Sequence, residues 1–92
     1  MEKNQKVSII IRTKNEERWI SNCLEKIYNQ NYDNFEVIVA DNCSIDKTVI
    51  KAKKYPIKLI NIKNFYPGKA INDAIKISTG KIIVCLSAHC IP

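Results

Sequence analysis

The sequence predicts an α/β fold, a Rossmann-like parallel sheet in the order β-α-β-α-β-α-β with helices on both faces. Three observations point to it. Four short runs are apolar at nearly every position, as strands covered on both faces are. The segments between them carry apolar residues at helical spacing. Each apolar run also ends in a dense polar cluster, so chemistry is gathered at one edge of the sheet.

The first strand is expected over residues 7–11, a β-branched run bounded by polar residues. Asn15 is placed to cap the following helix, with Glu16 and Glu17 near its positive end. Ile20, Cys23, Leu24, Ile27 and Tyr28 form its apolar stripe, and the polar stretch 29–34 ends it. The second strand is expected over residues 35–40. Ser44 or Asp46 caps the second helix, whose inward face would be Ile45, Val49 and Ala52, and Pro56 closes it. A third strand covers residues 57–60 or extends to 62, and residues 61–67 form the longest irregular connection. Gly68 opens a third helix over 69–78 with Ala70, Ile71, Ala74 and Ile77 inward, and Gly80 is expected as a left-handed helix cap. The fourth strand runs over 81–86. Right-handed crossovers leave few topologies, and the expected strand order is 3-2-1-4.

Composition narrows the function classes. Ninety-two residues make at most one small domain, and 46% hydrophobic content is that of a globular chain. No apolar run approaches the roughly 20 residues that cross a bilayer. The polar opening, residues 1–6, leads straight into a strand, so the expectation is no secretory leader and a cytoplasmic location, with peripheral attachment at the inner membrane face as an option. The net charge of +6 comes from lysines scattered along the chain among many isoleucines and asparagines, which reads as solvated surface and not as a nucleic-acid interface. Part of the excess is available to attract a nucleotide diphosphate or an anionic membrane.

Cys23, Cys43, Cys85 and Cys90 show no paired spacing and read as free thiols, with Cys23 and Cys85 as small core residues. Cys90 beside His89 falls short of a structural zinc site. The two glycines cannot assemble GxGxxG or GxxxxGK[ST], and the lone histidine supports no hydrolytic triad.

In an open parallel sheet, ligands bind beyond the carboxyl ends of the strands, here in a crevice shared by the loops after strands 1, 2 and 4. Loop one, Arg12-Thr13-Lys14-Asn15-Glu16-Glu17, offers two cations, a hydroxyl and a helix N-terminus, which suit a phosphate; Asn15 alone would suffice if the loop only capped a helix. Loop two, Asp41-Asn42-Cys43-Ser44-Ile45-Asp46, is either a plain turn or a carboxylate set to accept hydrogen bonds from a base or ribose.

These same stretches resemble family 2 glycosyltransferases of the GT-A fold. Val7-Ser8-Ile9-Ile10-Ile11-Arg12-Thr13-Lys14-Asn15-Glu16-Glu17 is similar to the family's opening strand followed by Pro-Thr-Tyr-Asn-Glu. Phe35-Glu36-Val37-Ile38-Val39-Ala40-Asp41-Asn42-Cys43-Ser44-Ile45-Asp46 resembles the strand that leads to Asp-Asp-Gly-Ser-Thr-Asp. Tyr66-Pro67-Gly68-Lys69-Ala70-Ile71-Asn72 looks like Gly-x-x-x-Asn before a helix, and Gly80-Lys81-Ile82-Ile83-Val84-Cys85-Leu86 like the strand before the metal motif. The likeness covers nearly the whole chain in order.

The resemblance implies the donor-binding half of an inverting, nucleotide-sugar-dependent transferase of polysaccharide or glycolipid synthesis. Arg12, Thr13, Lys14, Asn15, Glu16, Asp41, Asn42, Ser44, Gly68, Lys69 and Asn72 would line the pocket for a UDP- or dTDP-sugar. The acceptor site and general base are expected beyond Pro92, leaving the 92 residues inactive alone. Arg12, Lys14 and Asn42 stand where the family has Pro, Tyr and a second Asp. Ser87-Ala88-His89 stands at the Asp-x-Asp position. His89, with Ser87, would hold Mn2+ or Mg2+, donate to the diphosphate when protonated, or simply face solvent. The competing readings are a nucleotide-sugar-binding module without metal carboxylates and a structural fragment that self-associates through its open sheet edge.

Overall fold

The computed structural model of the chain describes residues 5–62 and 67–87, and for residues 67–71 the backbone alone. Seven elements follow in order: β1 (Val7–Thr13), α1 (Ile20–Tyr28), β2 (Phe35–Asp41), α2 (Thr48–Ala52), β3 (Lys58–Asn61), α3 (Pro67–Ile77) and β4 (Ile82–Ser87). The strands form one parallel sheet in the expected order β3-β2-β1-β4. Register brings the carboxyl ends level, with Thr13 opposite Asp41 and Arg12 opposite Ser87.

Alternation along the strands divides the core. Ile9, Ile11, Val37 and Val39 face α1 and α2, where they pack on Ile20, Cys23, Leu24, Ile27 and Ala52. Ile10 and Ile38 point the other way, onto Ala74 of α3. Covering both faces explains why these strands are apolar at successive positions. Tyr28 is half-buried at the end of the α1 stripe, with ring centroids 5.4 Å from Phe35 and 5.8 Å from Tyr55. Its hydroxyl donates to the Pro56 carbonyl, and burial raises its pKa.

Several expectations change. The first helix begins at Ile20, five residues after Asn15, and Trp19 at its N-cap makes no side-chain capping bond. Asn15 instead adopts a left-handed backbone, φ 53°. Neither candidate occupies the N-cap of α2, which is Lys47 with no side-chain capping bond; Asp46, one residue earlier, accepts from the Thr48 N–H at 2.9 Å. Ile45 lies ahead of that helix and is 92% exposed, because the five-residue helix turns only Thr48 and Ala52 inward. Pro67 opens α3, where its fixed φ and missing N–H fit the first turn. Ile77 in the last turn is largely exposed, and Cys85 is exposed because β4 is an edge strand.

Gly80 has no positive φ. Its requirement is space: a Cβ there would stand 2.5 Å from Ser8 Oγ, 2.6 Å from Ser8 N and 2.9 Å from the Lys6 carbonyl. That close approach feeds β4 onto β1 through the Glu36 carboxylate, which accepts from Ser8 Oγ at 2.5 Å and Thr79 N at 2.6 Å. Lys58 Nζ pairs with it at 2.7 Å, and Gly80 N donates to Ser8 Oγ at 2.8 Å. Burial would raise the Glu36 pKa, but the hydrogen bonds from Lys58, Ser8 and Thr79 outweigh it and hold the group at about 2.

Candidate functional site

The ladder between β1 and β2 continues one step past the strands, with Asn42 N donating to the Thr13 carbonyl at 2.9 Å. Here the buried Thr13 hydroxyl donates to Asp41 Oδ1 at 2.6 Å. Ser44 closes loop two on the same carboxylate, through its hydroxyl to Oδ1 at 2.6 Å and its N–H to Oδ2 at 2.9 Å. Asp41 is 1% exposed, so its carboxylate chiefly fastens the two loops together.

Loop two then caps loop one. The Asn15 N–H donates to Ser44 Oγ at 2.8 Å, the Glu16 N–H to Thr48 Oγ1 at 2.7 Å and the Glu17 N–H to Asp46 Oδ2 at 3.2 Å. Asn15 Oδ1 returns the contact by accepting from the Ile45 N–H at 2.8 Å. Burial raises the Asp46 pKa, and the opposing bonds from the Thr48 hydroxyl, Thr48 N–H and Glu17 N–H lower it overall. The amides ahead of α1 that the sequence offers to a phosphate are therefore taken by the chain's own side chains. The left-handed Asn15 and Cys43, φ 53° and 50°, aim these groups at one another.

The groups left at the strand ends include two cations. Arg12, Thr13, Lys14 and Glu16 of loop one line a cleft of about 160 Å³ with Ser87 at the end of β4. Among the described residues, neither Arg12 nor Lys14 has an ion-pair partner. This cleft lies at the carboxyl ends of β1 and β4, and Asp41 and Ser44 of loop two brace loop one behind it. A second hollow, of about 350 Å³, is walled mainly by apolar side chains, among them Val7, Ile27, Phe35 and Leu86, with Gln30 and Tyr32 as its polar-bearing members.

The remaining expected residues divide. Asn42 is 95% buried by its 5% exposure, and its Nδ2 has no hydrogen-bond partner among the described residues. Asn72 is exposed on α3, while Gly68 and Lys69 fall in that helix's first turn. His89 and Cys90 lie outside the described residues. Among those described, no group of three His, Cys, Asp or Glu is placed to hold a metal ion, and Ser87 alone does not make such a site. Sequence reasoning missed Thr48 as a clamp on loop one, because its partner lies 32 positions away.

Comparison with known proteins agrees with this architecture. Residues 8–92 match the family model for glycosyl transferase family 2. The chain is 39% identical over 95 aligned residues to the dolichyl N-acetyl-alpha-D-glucosaminyl phosphate 3-beta-D-2,3-diacetamido-2,3-dideoxy-beta-D-glucuronosyltransferase of Methanococcus voltae, covering 94% of this chain and 30% of that one. The crystal structure of Staphylococcus aureus TarS 1-349 superposes with a TM-score of 0.85 at 30% identity, over 91% of this chain and 27% of that chain. TarS is named a poly(ribitol-phosphate) beta-N-acetylglucosaminyltransferase, and one of its structures holds UDP-GlcNAc. The mannosyltransferase PcManGT of Pyrobaculum calidifontis, solved with GDP-Man and Mn2+, gives a TM-score of 0.81 at 30% identity over 94% of this chain and 28% of that one. The chain thus spans less than a third of the length of these relatives. With the family model matched from the first strand onward, and the same parallel sheet and loop arrangement in its structural neighbours, the chain belongs to glycosyl transferase family 2.

Proposed function

We propose that this chain is the donor-binding part of a glycosyltransferase that moves a sugar from a nucleotide diphosphate to a glycolipid or polymer hydroxyl. The observation that carries this reading is the pair Arg12 and Lys14, two cations beside one carboxylate, Glu16, on a cleft at the carboxyl ends of β1 and β4, neither in an ion pair among the described residues. Two such charges favour a diphosphate, and Arg12 offers it a planar, bidentate donor. Asn42 supports the same reading, since a ligand acceptor reached by a small shift of its amide would satisfy the orphaned Nδ2. UDP- and dTDP-sugars remain the proposed donors, with Gly68, Lys69 and Asn72 of α3 flanking them.

The chemistry is a displacement at the anomeric carbon. The acceptor oxygen forms the new C–O bond, the bond to the diphosphate breaks, the nucleoside diphosphate leaves, and the acceptor proton passes to a general base. That base and the acceptor pocket are proposed to lie beyond Pro92. Arg12 and Lys14 would bind and orient the diphosphate and stabilise its leaving charge. A divalent cation at Ser87 and His89 remains a proposal; the described residues do not by themselves fit one, and no step here depends on it.

The test is calorimetric titration of UDP, dTDP and GDP with and without Mn2+, on the chain and on Arg12→Ala/Lys14→Ala. Binding that falls about tenfold or more in the double variant supports the reading, as expected for two charge-assisted contacts. Unchanged affinity, or no binding at millimolar nucleotide, overturns it. Tightening by Mn2+ favours the metal-assisted enzyme. Indifference to Mn2+ favours a nucleotide-sugar-binding module.

A further inference from the structure

Although the lysines look dispersed in sequence, the fold collects a group of them around apolar side chains that have no packing role. Residues 45–54 hold Lys47, Lys51, Lys53 and Lys54 against one carboxylate, Asp46, which accepts from the Thr48 and Glu17 N–H groups. Thr48 and Ala52, four positions apart, turn inward, so Ile50 projects from the opposite side and is 65% exposed. At 100° per residue, Lys47, Lys53 and Lys54 all fall within about 60° of Ile50 around the helix and its final turn. Hydrogen bonds from Lys53 N to the Val49 carbonyl and from Lys54 N to the Lys51 carbonyl continue that turn, so the wheel applies to them. Ile45, 92% exposed, lies two residues ahead of Lys47. These two isoleucines are the most exposed large apolar side chains among the described residues.

We infer that α2 and the turn before it dock on an anionic lipid surface, with Lys47, Lys53 and Lys54 engaging headgroups while Ile45 and Ile50 enter the interfacial layer. Charge complementarity decides for this partner. Among the described residues none of the three lysines has an ion-pair partner, whereas Lys51 donates to the Glu17 carbonyl and Lys58 pairs with Glu36. A purely solvated face has no use for two projecting isoleucines. A nucleic-acid surface would favour aromatic or arginine side chains among its cations, and this patch has neither. Isoleucine between lysines is the composition that combines apolar insertion with attraction to acidic headgroups. Ile45 belongs to the same loop as Asp41 and Ser44, so docking there would hold the crevice edge beside the membrane. The inference stands apart from the donor reading, because no nucleotide enters its test.

The experiment is co-sedimentation of the purified protein with vesicles of phosphatidylglycerol and phosphatidylcholine, or phosphatidylcholine alone, at low and high salt. Binding is expected only to the anionic vesicles, and to fall steeply with salt. Lys47→Glu/Lys53→Glu/Lys54→Glu should reduce partitioning by about fivefold or more per lysine. Ile45→Ser/Ile50→Ser should reduce it while leaving net charge unchanged. Lys26→Glu/Lys76→Glu/Lys81→Glu, on α1, α3 and ahead of β4, makes the same change in net charge away from the patch, and circular dichroism confirms that each variant folds. Equal loss in the control, equal binding to neutral vesicles, no vesicle binding at all, or tighter binding to an oligonucleotide than to anionic vesicles would each overturn the inference.

Discussion

The Thr13 hydroxyl and the Asp41 carboxylate meet at 2.6 Å across the ends of β1 and β2, 28 positions apart in sequence, and are buried there. This bond couples the two loops that carry the family's first two motifs. Asp41→Ala leaves the buried Thr13 hydroxyl and the half-buried Ser44 hydroxyl without their acceptor, an expected loss of about 2–4 kcal/mol. Thr13→Val should cost less, about 1–2 kcal/mol, since Asp41 keeps its Ser44 bonds. Urea midpoints at constant m-value measure both. Equal losses would show that the carboxylate does not anchor both loops.

The capping of loop one by loop two makes Asn15 a conformational residue as well as a binding candidate. Asn15→Ala removes the acceptor for the Ile45 N–H and places alanine at φ 53°, for an expected loss of about 1–2 kcal/mol. Asn15→Gly should recover part of that loss by relieving the backbone term. If alanine proves more stable than glycine in thermal melts, the left-handed geometry is wrong.

Asn42 offers the reverse trade. Asn42→Leu removes a buried Nδ2 with no partner, so it should stabilise the free chain by about 1 kcal/mol while weakening nucleotide binding. Differential scanning calorimetry with and without UDP reads both effects. A destabilised variant would show that the amide is already satisfied.

Gly80→Ala should destabilise by about 3 kcal/mol, the upper end for overpacking, because two of the three nearest atoms are backbone. Ser8→Ala in the same chain removes the hydroxyl but leaves the clash with Ser8 N at 2.6 Å. Rescue is therefore expected to be slight, and full recovery in chemical denaturation would locate the conflict in the side chain alone.

Glu36 sets an acid sensitivity. Its folded pKa, about 2, lies below the ordinary 4.5, so the folded state binds fewer protons than the unfolded chain in that interval. The stabilisation is complete above about pH 4.5 and is lost as pH falls toward 2. Glu36→Gln should flatten the stability profile between those values and lower stability at pH 7 by about 2 kcal/mol, through loss of charge-assisted bonds from Lys58, Ser8 and Thr79. An unchanged acid slope in that variant would assign the sensitivity to other carboxylates.

The sequence by itself determined the sheet, because successive apolar residues such as Ile9, Ile10 and Ile11 make sense only in strands covered on both faces. It also determined the α1 stripe and the strand order, since helical spacing and right-handed crossovers are local or generic rules. It placed Arg12, Thr13, Lys14 and Glu16 at the strand ends, where with Ser87 they line one cleft. Tertiary structure alone decided what each residue there does. Asn15 looks like a cap for the helix beside it, yet it serves a loop 30 positions away. Asp41 ties Thr13 to Ser44 through bonds that no local pattern announces, while Gly80 serves a packing need in place of a left-handed turn. Ile45 and the lysines of α2 become one exposed patch only when the helix proves five residues long. Periodicity records which face a residue occupies. Long-range hydrogen bonds and close backbone approaches depend on partners that the fold brings together from distant positions, and no local pattern encodes them.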